Sequence, residues 1–185
     1  MTKTSMNAVA GKIHSTPRIL ARIASMRSAL LVVSGSGGTG KTSILKFLSD
    51  HLAKGGHILV VGLPEEYSAT EQQVVVSFET FSENSAKYLR REPSVIVFDE
   101  LRDGQQASAA LRLVGAGHFV LAGLHYGGSS PVRERLAQLL DGMSSHVLKN
   151  LSVRDEFVSI GASRSGDEVW MTSLPLDRSA NALPR

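Results

Sequence analysis

The chain has 185 residues, 42% of them hydrophobic and 20% charged, which suits one globular domain and argues against a low-complexity or disordered polymer. It contains no cysteine, which excludes disulfides and thiolate metal sites and fits a reducing cytoplasm. The formal charge of +3 is unevenly spread, with Lys3, Lys12, Arg18, Arg22 and Arg27 and no acid in residues 1–30, and no apolar stretch approaches the ~20 residues of a membrane helix.

Residues 1–28 form a basic amino-terminal segment, irregular as far as Ser15. Thr16-Pro17 then opens a helix with Ile19, Leu20, Ile23 and Met26 at helical spacing. A solvated basic face is the plain reading of its charge, and contact with nucleic acid, an anionic lipid surface or an acidic partner is the alternative. Ala29 to Val33 is a continuous apolar run, as expected of a strand buried on both faces. A glycine-rich loop follows, and then a helix from Thr42 to Lys54, carrying Ile44, Leu45, Leu48 and Leu52 and ended by Gly55-Gly56.

His57 to Val61 reads as a second buried strand. Residues 63–80 have no clear period, apart from a short strand at Val74 to Val76. Ser82 is placed to cap a helix running to Arg91, closed by Pro93. Val95 to Phe98 is a third apolar strand, ending in Asp99-Glu100. Gln105 to Val114 reads as helix, His118 to Ala122 as strand, and Pro131 to Leu140 as helix. Beyond Met143, Phe157 to Ile160 and Val169 to Thr172 flank Arg164-Ser165-Gly166-Asp167 as a hairpin, and residues 176–185 form a loose tail. Alternating strands and helices predict an α/β domain over 29–175, with a mostly parallel sheet, helices on both faces and a carboxy-terminal β-hairpin added antiparallel at one edge.

Gly35-Ser36-Gly37-Gly38-Thr39-Gly40-Lys41-Thr42 satisfies G-x-x-x-x-G-K-[ST] between a strand and a helix. The glycines allow positive φ and close approach of amides to phosphate, and the helix start adds its dipole. Lys41 is expected on the β- and γ-phosphates, Thr42 on Mg²⁺, and Ser43 beside them. Asp99 and Glu100 close the acidic strand. One is expected to orient Mg²⁺ and the other to polarise the attacking water, with Asp99 assigned to the metal and Glu100 to the water, although the roles are exchangeable. In the additional-strand branch of P-loop ATPases, the strand before His125 lies between the P-loop strand and the acidic one. That order would aim His125 at the γ-phosphate and leave His118 at the far end.

From Arg90 to Leu140 the chain resembles the secretion-ATPase superfamily, in its pilus-retraction (PilT-type) and type II secretion (GspE-type) branch. Leu89-Arg90-Arg91-Glu92-Pro93 is similar to that family's leucine–arginine–x–x–proline run, Val95 to Asp103 to its Walker B signature, and Ala116 to His125 to its histidine box. The resemblance implies a RecA-like core that binds ATP and Mg²⁺ and a homo-oligomeric, hexameric ring. It also implies ATP-driven work on pilus, secretion or conjugation components, from the cytoplasm and peripherally at the inner membrane. It makes Glu100 the Walker B glutamate and His118 and His125 the histidine-box pair.

Three departures accompany it. The family's Glu-Asp-Pro-x-Glu box after the second strand is matched by Gly62-Leu63-Pro64-Glu65-Glu66, which keeps Glu66 but lacks the two leading acids. The family's small glycine is Asp99 here. Some 28 residues precede the first strand, so the amino-terminal domain that completes the ring is expected to be missing. Arg90, Arg91 and Arg102 are then candidates to substitute for its arginines, or are plain solvated arginines. Two alternatives to an efficient ATPase stay open. One is a nucleotide-binding regulatory or assembly subunit with little hydrolysis. The other, a minor one for lack of any reading motif, is a DNA-associated P-loop protein.

Overall fold

A computed structural model describes residues 23, 25–62, 67, 69–126, 132–140, 157–165 and 168–173. Of the predicted amino-terminal helix only Ile23, Ser25 and Met26 are described, Met26 donating its N–H to the Ile23 carbonyl at 3.0 Å, while the Leu63–Glu66 stretch, the Gly166-Asp167 turn and the tail lie outside the described residues. Among the described residues seven strands form one sheet: β1 (Ala29–Gly35), β2 (Ile58–Val61), β3 (Gln73–Val76), β4 (Val95–Phe98), β5 (Phe119–His125), β6 (Phe157–Ser165) and β7 (Glu168–Ser173). Their order is β3-β2-β4-β5-β1-β6-β7. Each neighbouring pair is parallel except β6 with β7. The expected strand between the P-loop strand and the acidic strand is therefore present as β5. The expectation for the hairpin needs correction, because β6 joins β1 in parallel and only β7 runs against it.

Four helices among the described residues cover the sheet: α1 (Lys41–Ala53), α2 (Phe78–Leu89), α3 (Gly104–Gly115) and α4 (Val132–Leu139). Strand alternation divides the core into two layers. Leu31, Val33, Val97 and Leu121 pack with Ile44, Leu45 and Leu48 of α1, and Ile23 is buried among them. Leu30, Ile96, Phe98 and Val120 pack on the other face with Phe81 of α2, Ala110 of α3 and Leu136 of α4. Central strands buried on both faces favour apolar side chains at successive positions, so β2, β4 and Ala29 to Val33 of β1 read as unbroken hydrophobic runs.

The start of α2 also differs from expectation. Ser77, not Ser82, is its N-cap, with its Oγ accepting from the Thr80 N–H at 3.2 Å. Starting there lets α2 carry Phe81 into the core, where it meets Phe98 edge-on at 6.1 Å. Ser82 lies just before a local break at Asn84, whose φ of −124° is not helical.

Candidate functional site

Parallel strands leave their carboxyl ends on one edge, and the motif residues gather there. On the α1 face that edge presents, in sheet order, Gly62 after β2, Asp99 after β4, His125 at the end of β5 and Gly35 at the end of β1. The alternation places them: Val60, Val97, Leu121 and Val33, two positions earlier on each strand or four on β5, all belong to the α1-side core.

The loop from Gly35 to Gly40 turns the chain from β1 into α1. Gly38 and Gly40 have φ of +74° and +90°, a left-handed conformation that side chains other than glycine adopt at a cost. At Gly35 a Cβ would fall 2.5 Å from Thr39 Oγ1 and 2.9 Å from the Ala162 carbonyl of β6. Thr39 Oγ1 and Lys41 Nζ both donate to the Ser36 carbonyl at 2.9 Å, which draws the lysine back over the loop. Gly40 caps α1 without a side-chain hydrogen bond, and no acid occupies the helix's first turn. The helix start therefore presents backbone donors and its dipole without a competing anion, which is what a phosphate group requires. Thr42 is half-buried and Ser43 exposed in that first turn.

Gly35 and His125 are register partners, and the Tyr126 N–H donates to the Gly35 carbonyl at 3.2 Å. This pairing fastens the end of β5 to the start of the loop. A Cβ on Gly37 would lie 3.9 Å from His125 Cε1, so the exposed imidazole sits beside the loop. His118 precedes β5 and is seven positions from His125. At about 3.3 Å per strand residue they are ~23 Å apart, and His118 does not join the cluster.

Asp99 is buried, with 8% exposure, and its Oδ1 accepts from the Tyr67 hydroxyl at 2.9 Å. Tyr67 is itself buried in the α1-side core, and the Lys46 ammonium of α1 lies 4.7 Å from its ring centroid. Gly62 and Gly123 leave room for this carboxylate and its backbone. A Cβ at Gly62 would stand 2.5 Å from Asp99 Cβ, and one at Gly123 would collide with the Asp99 carbonyl. The Leu101 N–H donates to the Gly123 carbonyl at 2.7 Å, which locks the exit of β4 against β5.

Glu100 follows on the other side of the strand end. It lines an open cleft with Gly62, Ser77, Phe78, Asp99, Arg102 and Gln106. Its Oε2 accepts from Arg102 Nε at 3.0 Å, in a pair whose side chains are 26% and 54% exposed. A pair so exposed contributes at most about 1 kcal/mol, so a ligand can displace it. The Arg102 N–H is held by Gln106 Oε1 at 2.8 Å, and the Gln106 N–H by Asp103 Oδ1 at 2.9 Å, so this loop is braced by the cap of α3.

Arg90 and Arg91 are exposed and precede β4, at the sheet edge opposite the phosphate loop. Glu66 lies outside the described residues. Tyr67 escaped the sequence reading, and Gly62 entered it as a departure from the acidic box but not as the neighbour of Asp99. A lone tyrosine in a segment without periodicity carries no signal, although a glycine closing one strand beside an acid closing its neighbour is a pattern that could have been sought.

The donor set fits Mg²⁺ with nucleotide. Among the described residues, no group of three or more His, Asp or Glu could cage a metal. Magnesium characteristically keeps its waters and takes one or two carboxylates along with substrate phosphates, and the Thr42 hydroxyl, Asp99 and Glu100 are of that kind.

Residues 3–153 match the family described as Type II/IV secretion system protein. The uncharacterized protein YggR of Escherichia coli K12 is 29% identical over 143 residues, which cover 72% of this chain and 44% of that protein. The type IV pilus ATPase PilU of Pseudomonas aeruginosa is 29% identical over 129 residues, 65% of this chain and 34% of that protein. The chain thus spans less than half the length of either relative. Among solved structures, the pilus retraction motor PilT with bound ADP aligns with a TM-score of 0.65 at 22% identity, over 89% of this chain and 52% of that one. The Legionella pneumophila ATPase DotB aligns with a TM-score of 0.66 at 19% identity, over 91% and 51%. At these identities the two structures speak for the α/β, RecA-like fold alone. The family match covers most of the chain, and the protein belongs to the type II/IV secretion system protein family.

Proposed function

We propose that this chain binds ATP with Mg²⁺ and hydrolyses it to drive a pilus, secretion or conjugative-transfer machine, as one subunit of a homo-oligomeric ring. The supporting observation is convergence. An uncapped helix start, a glycine loop closed over its own lysine, and Asp99 and His125 from two neighbouring strands all meet on the α1 face of one sheet edge. In this reading the amides of 35–43 and Lys41 hold the phosphates, and Thr42 and Asp99 hold the metal. Glu100, released from Arg102, takes a proton from the attacking water, and His125 donates to the γ-phosphate. Mg²⁺, when bound, would supply charge neutralisation to the phosphates. The ring is proposed to be hexameric, cytoplasmic and peripheral at the inner membrane. Among the described residues no helix is long and apolar enough to cross a membrane.

Magnesium-dependent ATP turnover tests the reading. Lys41→Ala is expected to abolish nucleotide binding. Glu100→Gln is expected to retain binding while turnover falls about 10²- to 10⁴-fold, the usual worth of a positioned base. Wild-type turnover no better than either variant defeats the reading. A second reading, a nucleotide-binding regulatory or assembly subunit, draws on the Glu100–Arg102 ion pair and on the two acids absent at Gly62-Leu63. Tight ATP binding by calorimetry with negligible hydrolysis would select it.

A further inference from the structure

Two of the sequence departures noted above, a glycine after β2 and an aspartate after β4, are next to each other in space. β2 and β4 are paired in parallel with Val61 opposite Phe98, and the Asp99 N–H donates to the Val61 carbonyl at 3.1 Å. Gly62 and Asp99 therefore sit side by side on the α1 face. A Cβ on Gly62 would come 2.5 Å from Asp99 Cβ, closer than any two such carbons approach, so only one of the two positions can carry a side chain.

The Asp99 carboxylate is then fixed from a third direction. Tyr67, 5% exposed, gives its hydroxyl to Asp99 Oδ1 at 2.9 Å, and its ring lies under the Lys46 ammonium, one turn beyond the phosphate-loop lysine on α1. A buried carboxylate that receives a hydrogen bond from a buried phenol is oriented as well as stabilised, because both groups lose freedom together.

We propose that Gly62 and Asp99 constitute one carboxylate position that β4 fills and β2 leaves empty, and that Tyr67 is the positioning residue that aims Asp99 at the nucleotide-bound metal. This inference rests on the ATPase reading and adds to it the residue that orients the metal-side carboxylate. It also gives the first of the two acids missing after β2 a steric cause: with Asp99 present, a side chain at position 62 has no place.

The test is equilibrium binding of a fluorescent ATP analogue with and without Mg²⁺, beside urea denaturation. Wild type should bind more tightly with Mg²⁺. Asp99→Asn should lose most of that gain while keeping metal-free affinity. Tyr67→Phe should raise the Mg²⁺ concentration needed for half the gain by about tenfold, as loss of an outer partner does. Denaturation midpoints read alongside separate this from simple unfolding. Gly62→Ala should destabilise the wild-type chain and cost much less in an Asp99→Gly background, a coupling that distant sites do not show. A wild type that gains nothing from Mg²⁺ overturns the ATPase reading and this inference together. A wild type that gains, with Asp99→Asn or Tyr67→Phe gaining equally at the same Mg²⁺, overturns this inference alone. Additive effects of the Gly62 and Asp99 changes overturn the shared position.

Discussion

At Gly123 the backbone of β5 passes so close to the Asp99 carbonyl that no side chain fits, and Leu45 of α1 closes the same spot at 3.3 Å. The site thus depends on residues with nothing to contribute chemically, whose absence of a Cβ lets two strand ends and a helix meet. At the end of α1 away from the phosphate loop, placement is less favourable. Asp50 is exposed in the last turn of α1, where the helix dipole disfavours an anion, and partial burial of its carboxyl raises its pKa above the usual value. A folded-state pKa raised above the unfolded one means that the native protein holds the proton more tightly. The ionised aspartate therefore costs stability at neutral pH, and the cost fades as pH falls through the raised folded value toward 3.8. Asp50→Asn should accordingly be more stable than wild type in urea at pH 7, and the two should converge near pH 3.5. An equal difference at both pH values would contradict this.

The elements differ in how far they could be read from sequence. β1, β2 and β4 announce themselves because strands buried on both faces favour apolar side chains at successive positions. β5 runs three residues beyond the expected Ala122, through Gly123 and Leu124 to His125, because its pairing with β1 continues to Gly35. Propensity alone gives no reason to extend a strand through glycine. The start of α2 was misplaced for a different reason. Ser77 and Ser82 are both acceptable caps, and the choice between them falls to Phe78 and Phe81, which pack on the α2-side core only if the helix begins at the first. Ser77 Oγ also donates to Thr80 Oγ1 at 3.1 Å, closing the first turn. Ser77→Ala is expected to lower stability by about 1 kcal/mol and Ser82→Ala to change it by less than about 0.5 kcal/mol, both read from urea midpoints. A loss at Ser82 as large as that at Ser77 would contradict Ser77 as the cap. Phosphate-loop chemistry was legible because its residues are contiguous. The Tyr67–Asp99 contact was not, since its partners are 32 positions apart and Tyr67 belongs to no periodic segment.

For the whole molecule, sheet polarity decides what one subunit can do alone. The phosphate loop, Asp99, Glu100 and His125 occupy the carboxyl edge, while Arg90 and Arg91 stand before β4 at the amino edge, separated from the loop by the height of the sheet. Arg102, the cation that does reach the acidic strand's end, is engaged with Glu100. Positive charge delivered to the γ-phosphate from these two exposed arginines would have to come from a neighbour in the proposed ring. Such a guanidinium stabilises charge that develops in the transition state, and one supplied in trans is worth on the order of 10³-fold or more in turnover. An Arg90→Ala/Arg91→Ala double variant should therefore bind ATP normally and turn it over poorly. Mixing it with Lys41→Ala, which keeps both arginines and lacks a working loop, should restore activity that neither has alone, rising with total protein as light scattering shows assembly. Recovered turnover would place a shared site between subunits. Full activity in the double variant would instead assign the two arginines to solvent, and a mixture as inactive as its parts despite assembly would exclude their action across the interface.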